Sequence, residues 1–141
     1  MTTNYFNASS VDTNGFDIEM SYGMDTAIGE MLLGLNASHM LQYEIPVAGV
    51  ATDVVGLFNH DNFARSLPET KMVLSAMLQS GKHSAAAYGR WVSSYETTRP
   101  VSASAAAQGF TQDIDSMFTV DLQYNYTFDF NGEDDLKLTL G

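Results

Sequence analysis

The chain has 141 residues, 45% of them hydrophobic, with 17 acidic against 6 basic side chains and a formal net charge of -11. That length suits one ordinary domain, and the acidic balance opposes nonspecific nucleic-acid binding, which needs clustered cations. The lack of any cysteine removes disulfides, thiolate catalysis and Cys-ligated metals.

The first predicted strand covers 15–22, GFDIEMSY, with Phe16, Ile18, Met20 and Tyr22 on one face and Asp17, Glu19 and Ser21 on the other. Such alternation is a strand signal, because successive side chains point to opposite faces of a sheet. A short turn over 23–27 leads to a second strand over 28–43. There Met31, Leu33, Leu35, Ala37, His39, Leu41 and Tyr43 share a face, and Leu32 and Met40 interrupt the polar row opposite. Residues 44–69 read as a long loop, with two prolines and several Gly, Asn and Asp. Its LPETK string (67–71) lacks the Gly and the apolar tail of a sortase signal, and Pro68 sets the start of the next strand.

The third strand, 70–79, aligns Met72, Leu74, Ala76 and Leu78, with Lys71 on the other face; Ser80-Gly81-Lys82 is a tight turn. The fourth, 83–95, places Ala85, Ala87, Gly89 and Trp91 on one face and Tyr88 and Arg90 on the other. A second long loop over 96–115 holds SASAAAQG, a small-residue tract expected to be mobile. The fifth strand, FTVDLQYNYTF over 118–128, alternates most strictly: Phe118, Val120, Leu122, Tyr124, Tyr126 and Phe128 against Thr119, Asp121, Gln123, Asn125 and Thr127. A polar turn over 131–133 precedes LKLTL, where Leu136, Leu138 and Leu140 align.

The expected fold is therefore all-β: an antiparallel meander of about six strands, a segment of a transmembrane β-barrel. Three properties favour a membrane. The fifth strand has the ~9–11 residues that a tilted strand needs to cross a bilayer. Short and long connections alternate, as the turns and loops of an outer-membrane barrel do. Aromatic side chains fall into two belts, with Tyr43, Trp91, Tyr95 and Phe118 towards the long loops and Tyr22, Tyr126 and Phe128 towards the short turns. No stretch reaches the ~18 apolar residues of a membrane helix. The mean hydropathy of -0.10 suits strands that interleave apolar with polar residues. The opening MTTNYFNASS has neither the basic nor the apolar region of a signal peptide.

In this frame Phe16, Ile18, Leu33, Leu35, Leu74, Trp91, Val120, Leu122, Tyr124, Tyr126 and Phe128 face lipid. Asp17, Glu19, Lys71, Arg90, Asp121, Gln123 and Asn125 face the lumen. No enzyme is expected, since no G-x-S-x-G, P-loop or G-x-G-x-x-G string occurs. His39, His60 and His83 show no metal-ligand spacing, and Asp113, Asp115 and the acids at 133–135 lack an EF-hand pattern. Neither metal nor cofactor is expected.

The segments NASSVDTNGFDIEMSY (7–22), DTAIGEMLLGLNASHMLQYE (25–44), FARSLPETKMVLSAML (63–78), GKHSAAAYGRWVSSYE (81–96) and IDSMFTVDLQYNYTF (114–128), followed by LKLTLG, together resemble a TonB-dependent receptor of the bacterial outer membrane. The resemblance spans nearly the whole chain, 1–141, as part of the C-terminal half of the barrel domain. It implies a plugged barrel that imports a scarce ligand such as a siderophore, a vitamin or an oligosaccharide. Its implied partners are outer-membrane lipid, the small-molecule ligand, and the TonB complex acting through a part of the parent not found in this sequence. The family's plug, TonB box and final strands have no counterpart here, so the chain is expected to be a fragment that transports nothing alone. Ligand recognition in the family belongs mainly to extracellular loops and the plug, which makes Asn59, His60, Asp61 and Arg65 the ligand-binding candidates. The alternative class is a soluble antiparallel β module for binding or adhesion, its apolar faces packed on each other.

Overall fold

A computed structural model describes residues 11–47, 50–58, 66–130 and 134–141. The chain is nearly all β. Its larger sheet runs in the order β1 (Asp12–Thr26), β2 (Gly29–Val47), β5 (Thr70–Ser80), β6 (His83–Val92), β9 (Met117–Phe130), β10 (Asp134–Leu140), with β3 (Val50–Asp53) also paired to β2. The order is that of an antiparallel meander, and the sheet is open. A smaller sheet orders β4 (Leu57–Phe58), β7 (Tyr95–Thr97) and β8 (Asp113–Ile114).

The register fixes which side chains share a face. Leu74 pairs with Gly89 and Gly89 with Val120; Leu78 pairs with Ala85, Ala85 with Tyr124, and Tyr124 with Leu140. Paired residues point the same way, so the apolar rows of β5, β6, β9 and β10 coincide. At Gly34 a Cβ would run into the Ser75 side chain, which puts the even positions of β2 on the opposite, polar face. Gly81, at φ 55°, makes the tight turn between β5 and β6 in a backbone conformation that favours glycine.

By internal contacts the chain divides into two units. One comprises Met1–Phe16, His39–Glu69 and Ser93–Asp115; the other comprises Asp17–Ser38, Thr70–Val92 and Ser116–Gly141. The first holds every buried apolar side chain of the described core: Tyr43, Ile45, Val54 and Leu67, flanked by Met40, Val55 and Leu57. This differs from expectation. β2 extends to Val47, and β3 folds back on it, pairing Glu44 with Asp53 and Val47 with Val50. Asp53 Oδ1 accepts hydrogen bonds from the Tyr43 and Val55 amides at 3.1 Å each. Tyr43 is consequently buried instead of standing in an outer aromatic belt. Residues 44–69 are not merely a connection, since they supply β3, β4 and most of this core.

The second expected loop is also structured. Its small-residue tract forms one helical turn, α1 (Ala103–Ala106), with Ser102 Oγ capping the Ala105 amide at 3.3 Å. β7 pairs in parallel with β4 and antiparallel with β8. The polar turn expected over 131–133 lies outside the described residues.

Candidate functional site

The second unit presents two faces of opposite chemistry. On one, Ile18, Leu33, Leu74, Val120, Leu122, Leu136, Leu138 and Leu140 are exposed, Leu122 at 68% and Val120 at 56%. Nothing among the described residues covers them. Leu35, Tyr126 and the half-buried Trp91 stand in the same rows, and Tyr124 and Phe128 complete the β9 row. Phe16, whose ring lies 5.1 Å from that of His39, occupies the apolar row of β1. All eleven positions expected to face lipid therefore fall on apolar strand rows. Monomers in water seldom expose an apolar patch beyond a few hundred Å², roughly 300–600 Å² at most, and this row set runs across the whole sheet.

The face is not flat. Ala76, Ala85 and Ala87 floor a furrow of about 500 Å³ between Met31, Leu122 and Tyr124. Further along β6, a Cβ on Gly89 would lie 3.2 Å from the Phe118 ring, so that ring covers the glycine. At the short-turn end His83, Tyr124, Tyr126 and Phe128 form an aromatic group. His83 Nδ1 lies 2.6 Å from Tyr124 Oη. The His83 and Tyr126 rings are 4.8 Å apart, and those of Tyr126 and Phe128 are 4.4 Å apart.

The opposite face is polar and internally bonded. Asn125, only 8% exposed, donates from Nδ2 to Ser84 Oγ at 3.1 Å and accepts from Thr139 Oγ1 at 2.8 Å, tying β6, β9 and β10 together. Arg90 pairs with Asp121 across β6 and β9, and Lys82 pairs with Asp129. Lys71 pairs in register with Val92 and so shares the Arg90 face. Asp17 and Glu19 alternate with Phe16 and Ile18 on β1. The seven positions expected to face a lumen thus fall on polar rows. An open concavity of about 650 Å³ lies on this side, bordered by Asp25, Glu30, Gln79, Ser84 and Lys137. In the other unit, Glu96, Asp113 and Asp115 border a separate hollow of about 460 Å³.

The four ligand candidates, Asn59, His60, Asp61 and Arg65, lie outside the described residues. The Asn125 network and the His83–Tyr124 pair escaped the sequence reading. Both depend on strand register, and only the presence of a polar residue opposite another could have hinted at them. Among the described residues no group of three or more His, Cys, Asp or Glu side chains could hold a metal ion. Among the described residues no helix is long and apolar enough to cross a membrane, a result that does not bear on β-barrels. No family model, no curated protein and no solved structure matches the chain.

Proposed function

We propose that this chain forms part of the wall of a TonB-dependent transport receptor in a bacterial outer membrane. The single observation that carries the membrane part is the two-faced sheet. Its apolar rows are exposed from β1 to β10, and its polar rows hydrogen-bond among themselves. Strand length supports the same reading, since β1 has 15 residues and β9 has 14, whereas strands in globular proteins cluster near about 5–6. The order and spacing of the segments quoted above support the receptor part.

In this reading the parent protein performs the import. Loops and plug capture a siderophore, vitamin or oligosaccharide, TonB pulls on the plug, and the ligand crosses the lumen. The segment contributes wall, with polar rows towards the lumen and apolar rows towards lipid. β1 and β10 are the sheet's edge strands. An unpaired edge is not tolerated in hydrocarbon, so further strands of the parent would pair with them.

Sequencing the DNA on both sides of the reading frame tests the receptor assignment. The expected result is an open frame continuing upstream into a plug and a signal peptide, and downstream into alternating strands ending in an aromatic residue. A frame bounded by its own start and stop signals would overturn it and favour a free-standing β module.

A further inference from the structure

The larger sheet ends in two strands of complementary chemistry. β1 and β10 are its edges, and among the described residues no strand pairs with the outer side of either. Natural edges are blunted by proline, by a bulge or by a charge set into the apolar row, because a bare edge is a template for another strand. Neither β1 nor β10 contains a proline. β1 keeps Phe16, Ile18, Met20 and Tyr22 in one exposed row, and β10 keeps Leu136, Leu138 and Leu140. Between those residues β1 carries the acids Asp17 and Glu19, whereas β10 carries Lys137 and Thr139. Asp17, Glu19 and Lys137 form no ion pair among the described residues.

We infer that β10 of one copy pairs antiparallel with β1 of a second copy, in the register that sets Leu138 opposite the second copy's Ile18. Successive strands of the meander alternate in direction, so the last of the six runs against the first. Side by side, β10 and the second copy's β1 are therefore antiparallel, with apolar and polar faces continuous across the junction. This register sets Leu136 opposite Met20, Leu140 opposite Phe16 and Lys137 opposite Glu19, and all 7 residues of β10 find partners within β1. An opposite-charge pair directly across two strands is favourable, and like charges there are not.

The competing arrangements each lose something. A slip of one residue sets every leucine against a polar row. A slip of two sets Lys137 opposite Ser21 in one direction, and Leu140 opposite Asn14 in the other. β1 against β1 brings acids together, Asp17 beside Glu19. β10 against β10 gives Lys137 an acid, Asp135, only by setting Asp134 against Leu138. The junction of unlike edges is head-to-tail and can close into a ring, which leaves no edge bare. The inference goes beyond the receptor reading and rests only on the two edges. In the parent, flanking strands would hold them; for the 141-residue chain by itself, a second copy does.

Cysteine cross-linking tests the junction, since the chain has no cysteine of its own. Ile18→Cys and Leu138→Cys chains are unfolded, mixed, refolded together in dodecylphosphocholine micelles and oxidised. A disulfide needs Cα atoms about 4.4–6.8 Å apart, a spacing that this register supplies. The expected result is a disulfide-linked pair of chains in the mixture, several-fold above either variant alone. It should equally exceed a mixture of Leu74→Cys with Leu138→Cys, because β5 lies inside the sheet between β2 and β6. Lys137→Glu in the Leu138→Cys chain should lower the yield several-fold, and adding Glu19→Lys to the Ile18→Cys chain should restore it. No linked pair in the mixture, equal yield from either variant alone, or indifference to the charge reversal would overturn the inference. Any of these results leaves the receptor assignment to the sequencing test above.

Discussion

The two units solve the problem of apolar surface in opposite ways. The first, made of short strands, a hairpin and a helical turn, hides Tyr43, Ile45, Val54 and Leu67 among themselves, with Val54 only 1% exposed. The second has the longer continuous pairings yet buries no large apolar side chain among its described residues; its one buried residue is Asn125. It displays the large apolar side chains that a protein packed against water would hide. The difference teaches that strand pairing and burial are separate achievements. Hydrogen bonds hold the second unit's sheet, while its apolar face stays uncovered among the described residues.

Substitutions can break that comparison, and the largest expected effect is Leu122→Arg. In the lipid-embedded parent it should cost about 2–4 kcal/mol, because a charge near the bilayer midplane loses its hydration. Urea titration of the vesicle-bound protein would measure it, and a cost near zero would remove the lipid-facing assignment.

Leu67→Ala probes the other unit. Leu67 is 6% exposed, and truncating a buried leucine costs about 2–5 kcal/mol. The lower end is expected for so small a core, in detergent and lipid alike. Hydrogen exchange should show lost protection at the Gly56 amide, which donates to the Leu67 carbonyl at 2.6 Å. Leu122→Ala, by contrast, should leave those amides unchanged.

Asn125→Ala comes next. It strands Ser84 and Thr139 on the polar face and should cost about 1–3 kcal/mol, read as a lower denaturation midpoint. Asp121→Asn should be the mildest, below about 1 kcal/mol, because its pair with Arg90 is roughly half exposed on both sides. Denaturation at low and high salt would check it, with the small difference from wild type shrinking as salt rises.

How much of this was legible in the sequence follows the same division. In the second unit a period of two announces both the strand and its face, residue by residue, so 118–128 could be read locally. Gly81-Lys82 reads as a turn for an equally local reason. The first unit's core draws Tyr43, Ile45, Val54 and Leu67 together across a hairpin and a bridge, without periodicity. Residues 44–69 therefore read as loop, and Tyr43 as one more ring in a belt. Ser102 at the head of a small-residue tract gave too short a pattern to announce one helical turn. Asn125 looked like an ordinary polar-row residue, because its partners lie on neighbouring strands and only the register reveals them.

The central claim is that the even-numbered row of β9 touches lipid. The chain has no cysteine, so single-cysteine variants at positions 119 to 124 report without background. With the variants carried in the parent barrel in phospholipid vesicles, a water-soluble maleimide should label positions 119, 121 and 123, and a lipid-partitioned maleimide should label 120, 122 and 124. Labelling of both sets by the water-soluble reagent, or protection of the even set from both reagents as in a protein-packed sheet, would contradict the account.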